Sequence, residues 1–435
     1  MKKYRQQLPL LPLMLLMIVI NVCAAPLPQF SQEKHMGVAT CASGVCHGKS
    51  VEDSTENVMM TEYRVWLTED DHARAYKTLM KPASKQIAKK LGLKSAHTAK
   101  ICLDCHADNV PRNMRGKKFQ ITDGVGCEAC HGGAEKWLSD HKETGATHEK
   151  NIKLGLYPSE KPRDRAKLCL SCHLGTKDKF ATHRMMGAGH PRLSLELEAF
   201  TQNQPAHYKV DADYEKRKGS ISSVNMWLTG LFYKADSQLQ LLQSKQFRQH
   251  GLFPELSFYE CHSCHRPMNP SRWPVEAASN NVPPGSIRLD DAVLVILASV
   301  LEVLSSEKAA TLKSAIKQLH AASLKDKATI MERAKAIQAI LNDVSVVVIE
   351  KKYMVTQKKI LRKKLLADAG TGLFRDYSSA EQVFYAVETL SIDLKDENKY
   401  ADKLDKLLAA IDEEDKYYPE QFKIIAQLFF QKLSE

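Results

Sequence analysis

The chain contains the sequence Gly124-Val125-Gly126-Cys127-Glu128-Ala129-Cys130-His131-Gly132, and the C-x-x-C-H pattern at its centre decides the fold. Two thiols at this spacing reach the two vinyl groups of one porphyrin, so the pattern is the attachment signature of c-type haem. The adjacent histidine is then held beneath the ring, where its imidazole ligates the iron. Four further cysteine pairs end in histidine: Cys41 and Cys46 with His47, Cys102 and Cys105 with His106, Cys169 and Cys172 with His173, and Cys261 and Cys264 with His265.

The cysteine count supports haem attachment over the alternatives. Ten of the eleven cysteines form these five motifs, and Cys23 lies in the apolar N-terminal segment. A structural zinc site pairs two C-x-x-C elements and needs no histidine after each of them. A disulfide framework, which exported chains form, does not explain five adjacent histidines either. We therefore predict five covalently bound haem c groups, numbered below by their motifs.

The first motif is the least regular of the five. Four residues separate Cys41 from Cys46, where the other motifs have two. Gly44 would allow this longer loop to bulge. The alternative is a disulfide between Cys41 and Cys46 that leaves His47 free. We favour haem attachment here as well.

The N-terminus is typical of an export signal. Lys2, Lys3 and Arg5 precede an apolar run from Leu8 to Val22, and small residues follow it. We predict a cleaved signal peptide over residues 1–24, a periplasmic location and no membrane span in the mature chain. An uncleaved anchor helix ranks second, because the run is shorter than the roughly 20 residues that a span needs. A lipid anchor on Cys23 ranks third.

The positive net charge does not indicate a nucleic-acid protein. The chain has 62 basic and 51 acidic residues, which gives +11, and loss of three basic signal residues leaves +8. Five haems would bring about ten propionate charges, which offset this excess. We therefore expect no nucleic-acid partner, and we expect redox proteins instead, either other cytochromes or quinol-linked membrane complexes.

The composition divides the chain into two domains. Residues 25–275 contain every motif, and we predict a multihaem cytochrome c domain there, with short helices and long loops around stacked haems. Residues 273–285 are typical of a linker. Residues 286–435 contain no cysteine and one histidine, and their apolar spacing predicts a bundle of five or six helices. The fold class is therefore mainly α. The apolar stripes of the bundle lie at these positions: Leu312, Ile316, Leu319; Ile337, Ile340, Leu341, Val344; Leu404, Leu407, Leu408, Ile411. A basic face, which we expect to be solvated and which could alternatively dock an acidic redox partner, consists of Lys358, Lys359, Arg362, Lys363 and Lys364.

The sequence resembles the cytochrome c-554 family, tetrahaem electron carriers of nitrogen metabolism, over roughly residues 38–175. The resemblance rests on Trp66 with residues 71–75 (DHARA), on Gly124 to Gly132, and on residues 140–145 (DHKETG). It implies His72 as distal ligand of the third haem and His141 as distal ligand of the first. It also implies that the second haem, on His106, is five-coordinate. The first spacer, the fifth motif and the C-terminal extension depart from the family pattern.

Other distal ligands must come from the remaining histidines. We favour His190, on the fourth haem, because Gly187 and Gly189 allow a flat porphyrin close to the backbone. Met185 and Met186 are further options, although packing is the usual role of methionine. Several histidines stay open between ligand and bystander: His148, His183, His207, His35, His97, His250 and His262. His320 is expected to be solvated.

Two functions fit these motifs. The favoured one is electron transfer through stacked, mostly bis-histidine haems, with no substrate transformed. The second is a haem-based oxidoreductase that acts on a small nitrogen or sulfur compound at an open haem, for which His106 is the candidate. A scaffold role in a larger cytochrome complex ranks third.

Overall fold

The computed structural model describes residues 25–52, 58–220, 222–245, 255–265, 283 and 286–433. The predicted signal peptide, His250 and nearly all of the predicted linker lie outside these ranges. The described residues contain helices and two isolated bridges but no β-strand. The predicted mainly α fold class is confirmed.

The first half of the chain folds into short helices joined by loops. Glycine and proline interrupt the helical patterns before they exceed three or four turns. Two small clusters of buried apolar side chains lie here, one around Leu79 and Leu103 and one around Leu170 and Leu197. The α-helices are α1 (Val38–Cys41), α2 (Glu62–Thr68), α3 (Ala75–Thr78), α4 (Pro82–Leu91), α5 (Lys100–His106), α6 (Cys127–His131), α7 (Trp137–Asp140), α8 (His148–Lys153), α9 (Pro162–His173), α10 (His183–Ala188), α11 (Leu197–Asn203) and α12 (Ala212–Lys218).

Single 3-10 turns join many of these helices and also occur near the C-terminus. They cover Pro28–Phe30, Asp71–Arg74, Ala96–Thr98, Arg112–Met114, Ile121–Asp123, Leu256–Phe258, Cys261–Ser263, Asn398–Tyr400 and Glu414–Lys416.

A buried carboxylate fixes the start of the described chain against the third motif. Glu128 accepts hydrogen bonds from the backbone N–H groups of Met36 and Gly37, both at 2.7 Å, and of Ala134 at 2.8 Å. Its side chain is buried, so loss of these bonds would leave several polar groups without water. Glu128 therefore ties the N-terminal segment to the haem-bearing helix α6.

Longer helices form the second half. They are α13 (Ser223–Gln243), α14 (Ala292–Leu304), α15 (Ser306–Ser323), α16 (Lys327–Ile349), α17 (Val355–Thr371), α18 (Tyr377–Asp393), α19 (Ala401–Ala409) and α20 (Pro419–Lys432). Seven of them lie in the described residues 286–433, where the sequence predicted five or six. The predicted stripes are buried, except that Ile340 is partly buried and Leu408 is 45% exposed. Asp376 caps α18, and Gly372 ends α17 in the left-handed conformation.

Helix α13 shares one hydrophobic core with the later helices. Val224, Trp227 and Leu228 are buried in the same cluster as Leu341 of α16 and Leu297 of α14. Helix α13 lies before the predicted boundary, so the core extends across it. The division at residues 275–286 stays a prediction.

Ion pairs occupy much of the predicted basic face on α17. Arg362 is buried and makes a bidentate pair with Asp396, at 2.5 and 2.8 Å. Lys358 pairs with Asp393, and Lys364 pairs with Glu302 and Asp368. The expectation of a solvated basic face is therefore wrong for these three residues, because acidic partners from elsewhere in the bundle neutralise them.

The apolar helices of the bundle pack against one another. Among the described residues, no helix combines the length and the hydropathy that crossing a membrane would require.

Candidate haem sites

In the second, third and fourth motifs, helical geometry places both cysteines on one face of the helix. Helix α6 consists of the third motif, and the second and fourth motifs end α5 and α9. Residues i and i+3 of a helix lie on the same face, so both thiols point to one side. The fifth motif forms a 3-10 turn, Cys261–Ser263.

The longer first motif closes into a compact loop. The N–H of His47 donates to the carbonyl of Cys41 at 3.2 Å, and Cys41 and Cys46 are free thiols. A Cβ on Gly48 would lie 2.1 Å from the carbonyl oxygen of Ala42, whereas one on Gly44 would meet no atom within 4 Å. The close backbone approach in this loop is therefore at Gly48, and Gly44 lies in open space.

Each motif histidine faces a second histidine ring. The five pairs, with the distances between ring centroids, are His47 and His141 at 6.2 Å, His106 and His190 at 6.3 Å, His131 and His207 at 6.1 Å, His173 and His72 at 6.2 Å, and His265 and His183 at 6.3 Å.

The uniform spacing of these pairs fits a metal between the rings. The separation stays between 6.1 and 6.3 Å while the angle between the ring planes ranges from 15° to 87°. Directly stacked rings would approach more closely than perpendicular ones. A metal–imidazole bond of about 2.0–2.1 Å on each side gives a centroid separation of about 6 Å at any angle. The pairs therefore have the spacing of bis-histidine iron sites.

Hydrogen bonds orient five of these rings. In each one Nδ1 is engaged, which leaves Nε2 for a metal. The acceptors are Glu62 for His47 at 3.0 Å, Asp70 for His72 at 2.8 Å, the Ala75 carbonyl for His106 at 3.2 Å, the Trp137 carbonyl for His141 at 3.2 Å, and the Pro191 carbonyl for His190 at 2.8 Å.

Burial favours the neutral form of several motif histidines, which is the form that binds a metal. It lowers the pKa of His131 to about 3, and it also lowers the pKa of His106 and of His173. His47 and His72 differ, because their hydrogen bonds to Glu62 and Asp70 raise their pKa against the effect of burial.

The observed pairs correct two expected partners. The resemblance implied His72 for the third motif, but His72 faces His173 of the fourth, because the Asp70 contact orients its ring. His190 was assigned to the fourth motif, but it faces His106 of the second. The vacancy that the resemblance implied over His106 is therefore filled by a ring at bis-histidine spacing. His141 faces His47 of the first motif.

Sequence reasoning left two further partners open. His207 faces His131, and His183 faces His265. No local pattern marks His207. His183 begins α10 and His190 follows its end, so one short helix carries the partners of two motifs.

The remaining described histidines have other contacts. His35 is buried between Asp108, at 2.7 Å, and the carbonyl of Pro28, at 3.2 Å. His320 is 1% exposed and lies 2.7 Å from Asp291, so its expected solvation is wrong. The others lie against these partners: His148 against Glu160 at 2.8 Å, His262 against Glu260 at 3.4 Å, and His97 against the ring of Tyr76.

Thiol contacts show which motifs are neighbours. Cys41 of the first motif contacts Cys127 of the third, and Cys105 of the second contacts Cys172 of the fourth. These contacts raise the pKa of Cys127 and lower that of Cys172. Cys130 lies close enough to Cys169 for the two to interact electrostatically. The motifs therefore follow one another in space in the order first, third, fourth, second.

The residues that carry the family resemblance contact one another. Trp66 donates from Nε1 to the Val125 carbonyl at 3.1 Å, and Val125 donates from its N–H to the His72 carbonyl at 3.1 Å. Gly124 has a φ of +78°, and a Cβ there would lie 2.7 Å from the His72 carbonyl oxygen. The resemblance therefore marks one packed unit.

A family profile described as "Cytochrome c554 and c-prime" matches residues 40–132. This part of the chain is cytochrome c-554-like. It is similar to cytochrome c-554 of Nitrosomonas europaea, with 33% identity over 120 residues, which cover 24% of this chain and 48% of the relative. The chain thus spans about half the length of the curated relative that it matches. No solved structure matches the chain significantly.

The similarity of this segment to cytochrome c-554 supports a multihaem cytochrome with covalently bound haem c. It contains the first, second and third motifs complete. The fourth and fifth motifs lie beyond residue 132. Their assignment therefore rests on the residues and geometry described above.

Proposed function

We propose that this chain is an exported, periplasmic pentahaem cytochrome c that relays electrons between redox partner proteins. The observation that carries the proposal is the set of five motif histidines, each facing a second histidine at 6.1–6.3 Å. Six-coordinate iron has no free position for a substrate, whereas it exchanges single electrons readily. Electron transfer is therefore the function that this ligand geometry serves best.

The chain would hold each haem in the same way. The two cysteines of a motif form thioethers, the motif histidine ligates one face of the iron, and the facing histidine ligates the other. When bound, the haems supply reversible one-electron chemistry between Fe(III) and Fe(II). Eighteen of these twenty cysteines and histidines are among the residues that the sequence singled out, and His183 and His207 complete the set.

The order of the motifs supports a continuous relay. Neighbouring thiols join the first motif to the third and the second to the fourth, and Cys130 and Cys169 bring the third and fourth together. Helix α10 brings the second and fifth together through His190 and His183. We infer that electrons pass in the order first, third, fourth, second and fifth, or in reverse.

The proposed relay has partners at its two ends. The first and fifth haems would exchange electrons with other cytochromes or with quinol-linked membrane complexes. The oxidoreductase alternative required an open haem on His106, and His190 faces that position. The geometry therefore does not favour it.

A mass and spectroscopic measurement tests this function. The mature protein should carry five haems by intact mass, and its haems should be entirely low-spin by electron paramagnetic resonance (EPR). Addition of cyanide or nitric oxide should leave the absorption spectrum unchanged. Four haems, or a high-spin signal that cyanide abolishes, would contradict the proposal.

A further inference from the structure

The hydrogen bonds behind the axial histidines are of two kinds. Carboxylates accept from Nδ1 of His47 and His72, through Glu62 at 3.0 Å and Asp70 at 2.8 Å. Backbone carbonyls accept from Nδ1 of His106 and His190, which face each other across the second haem site. The first and fourth sites therefore have an anionic partner behind a ligand, and both described ligands of the second site have a neutral one.

The fold holds both carboxylates in place. Asp70 is buried, and it accepts also from the N–H of His72 at 2.9 Å and from Nε2 of Gln204 at 3.0 Å. Glu62 begins α2, where the helix dipole favours an anion, and it accepts from the N–H of Met60 at 3.1 Å. Backbone carbonyls are sufficient to orient both histidine rings at the second site. Orientation of the rings alone would therefore not require a carboxylate at the first and fourth sites.

A carboxylate behind an imidazole changes how strongly the ring donates electrons. It pulls on the Nδ1 proton and increases the basicity of Nε2. Fe(III) has one more positive charge than Fe(II), so a stronger donor and a nearby negative charge both favour the oxidised iron. The electron that reduces such an iron, supplied by a partner protein or a neighbouring haem, is therefore held less tightly.

We propose that Glu62 and Asp70 are positioning residues that lower the reduction potentials of the first and fourth haems below that of the second. This inference rests on the proposed function, because it requires iron between the histidine pairs. The first haem site lies close to the third, and the second lies close to the fourth. In each of these two pairs, one haem has an axial histidine that donates to a carboxylate. In the close pair of second and fourth haems, the electron of the partly reduced protein would therefore reside mainly on the second.

Conservative variants separate this role from a structural one. Glu62→Gln and Asp70→Asn keep an oxygen that accepts from Nδ1 but remove the negative charge. Asp71→Asn is the matched control, because Asp71 adjoins Asp70, has a side chain that is 96% exposed, and pairs with Arg74 instead of a histidine. Glu62→Asp and Asp70→Glu restore the charge at a slightly different distance.

The angles between the ligand rings place the first and fourth haems in different classes of EPR signal. The rings of His47 and His141 are 15° from parallel, whereas those of His72 and His173 are at 82°. Parallel imidazoles separate the energies of two iron d orbitals and give a rhombic low-spin EPR signal. Perpendicular imidazoles leave these orbitals close in energy and give a much more anisotropic signal. A potentiometric titration of the full holoprotein, followed by EPR at fixed pH, can therefore assign each midpoint to one of these two signal classes.

We expect each variant to raise one midpoint in its own signal class. Glu62→Gln should raise the midpoint of a haem with a rhombic signal, and Asp70→Asn should raise the midpoint of a haem with an anisotropic signal. Loss of a ligand's outer partner commonly changes metal equilibria by roughly tenfold or more, and a tenfold change corresponds to about 59 mV for one electron. Asp71→Asn should move the midpoints far less, because its exposed carboxylate is screened by water, and the charge-restoring variants should return the midpoints toward wild type.

Two results would overturn the proposal and are distinguishable. If the variants retain five low-spin haems and no midpoint rises, or if Asp71→Asn acts as strongly, Glu62 and Asp70 do not set the potentials. If the wild-type protein lacks five low-spin haems, the proposed function itself fails. Haem count by mass, measured on every variant, separates these cases.

Discussion

The ring of His190 lies 6.3 Å from the ring of His106, and their planes cross at 84°. Backbone carbonyls hold Nδ1 of both rings, so both Nε2 atoms remain for the iron. The second haem would therefore be six-coordinate, although the family resemblance implied an open position. Whether His190 ligates this iron therefore distinguishes electron transfer from chemistry on a small molecule.

Replacement of His190 should open the second haem. His190→Ala removes the ring that faces His106, so one haem of five should become high-spin and bind cyanide. EPR and absorption spectra with and without cyanide measure this change. His97→Ala is the control, because His97 contacts Tyr76 instead of a motif histidine. An entirely low-spin His190→Ala protein would contradict the pairing.

Loss of the irregular first motif should remove one haem. In a Cys41→Ala and Cys46→Ala double variant, no thioether can form near His47, so the intact mass should decrease by one haem. The near-parallel pair of His47 and His141 should then give no low-spin signal. An unchanged haem count would show that Cys41 and Cys46 do not attach haem.

The pair of His35 and Asp108 should make stability depend on pH. Burial opposes protonation of His35, but the hydrogen bond and charge of Asp108 outweigh it and raise the pKa. Because the pKa of His35 is higher in the folded protein than in the unfolded chain, protonation of His35 stabilises the fold. This stabilisation is fully present below the pKa of the unfolded chain, about 6.5, and is lost as the pH rises through the pKa of the folded protein. Asp108→Asn should therefore cost about 1–3 kcal/mol at acidic pH.

Denaturant unfolding at several pH values measures this effect. The difference in unfolding free energy between wild type and Asp108→Asn should shrink as the pH increases above about 6.5. A difference that stays constant with pH would mean that His35 is neutral in the folded protein.

Truncation in α13 should destabilise the helical bundle. Leu228 is fully buried in the core that α13 shares with the later helices, so Leu228→Ala should cost about 2–5 kcal/mol. Leu428→Ala on α20, where the side chain is 52% exposed, should change stability by only about 0.5 kcal/mol. Equal effects in urea unfolding, followed by circular dichroism, would show that α13 does not belong to this core.

Local patterns predicted much of this structure. The haem motifs depend on spacings of a few residues, and Leu312, Ile316 and Leu319 recur at helical spacing, so both signals are visible in one stretch of sequence. The burial of Arg362 and His320 was not visible, because it depends on Asp396 and Asp291, which lie far from them in the chain.

Pairing of the histidines depends on the whole fold. His190 and His207 are separated from the motifs that they face by roughly 75–85 residues, and no loop-length argument selects one partner over such distances. The family resemblance marked His72 by its flanks, yet those flanks say only that the residue is packed beside Val125. They do not say which motif lies on its other side.

The direction of each pair along the chain has a consequence for biogenesis. His173 and His265 have their partners, His72 and His183, in earlier parts of the sequence, whereas the first three motifs precede theirs. On the proposed ligation, a chain that ends near residue 180 would expose second and third haems with a vacant face to oxygen and peroxide. Emergence of residues 183–207 closes both haems, so interruption just before this point should yield the most oxidatively damaging fragment.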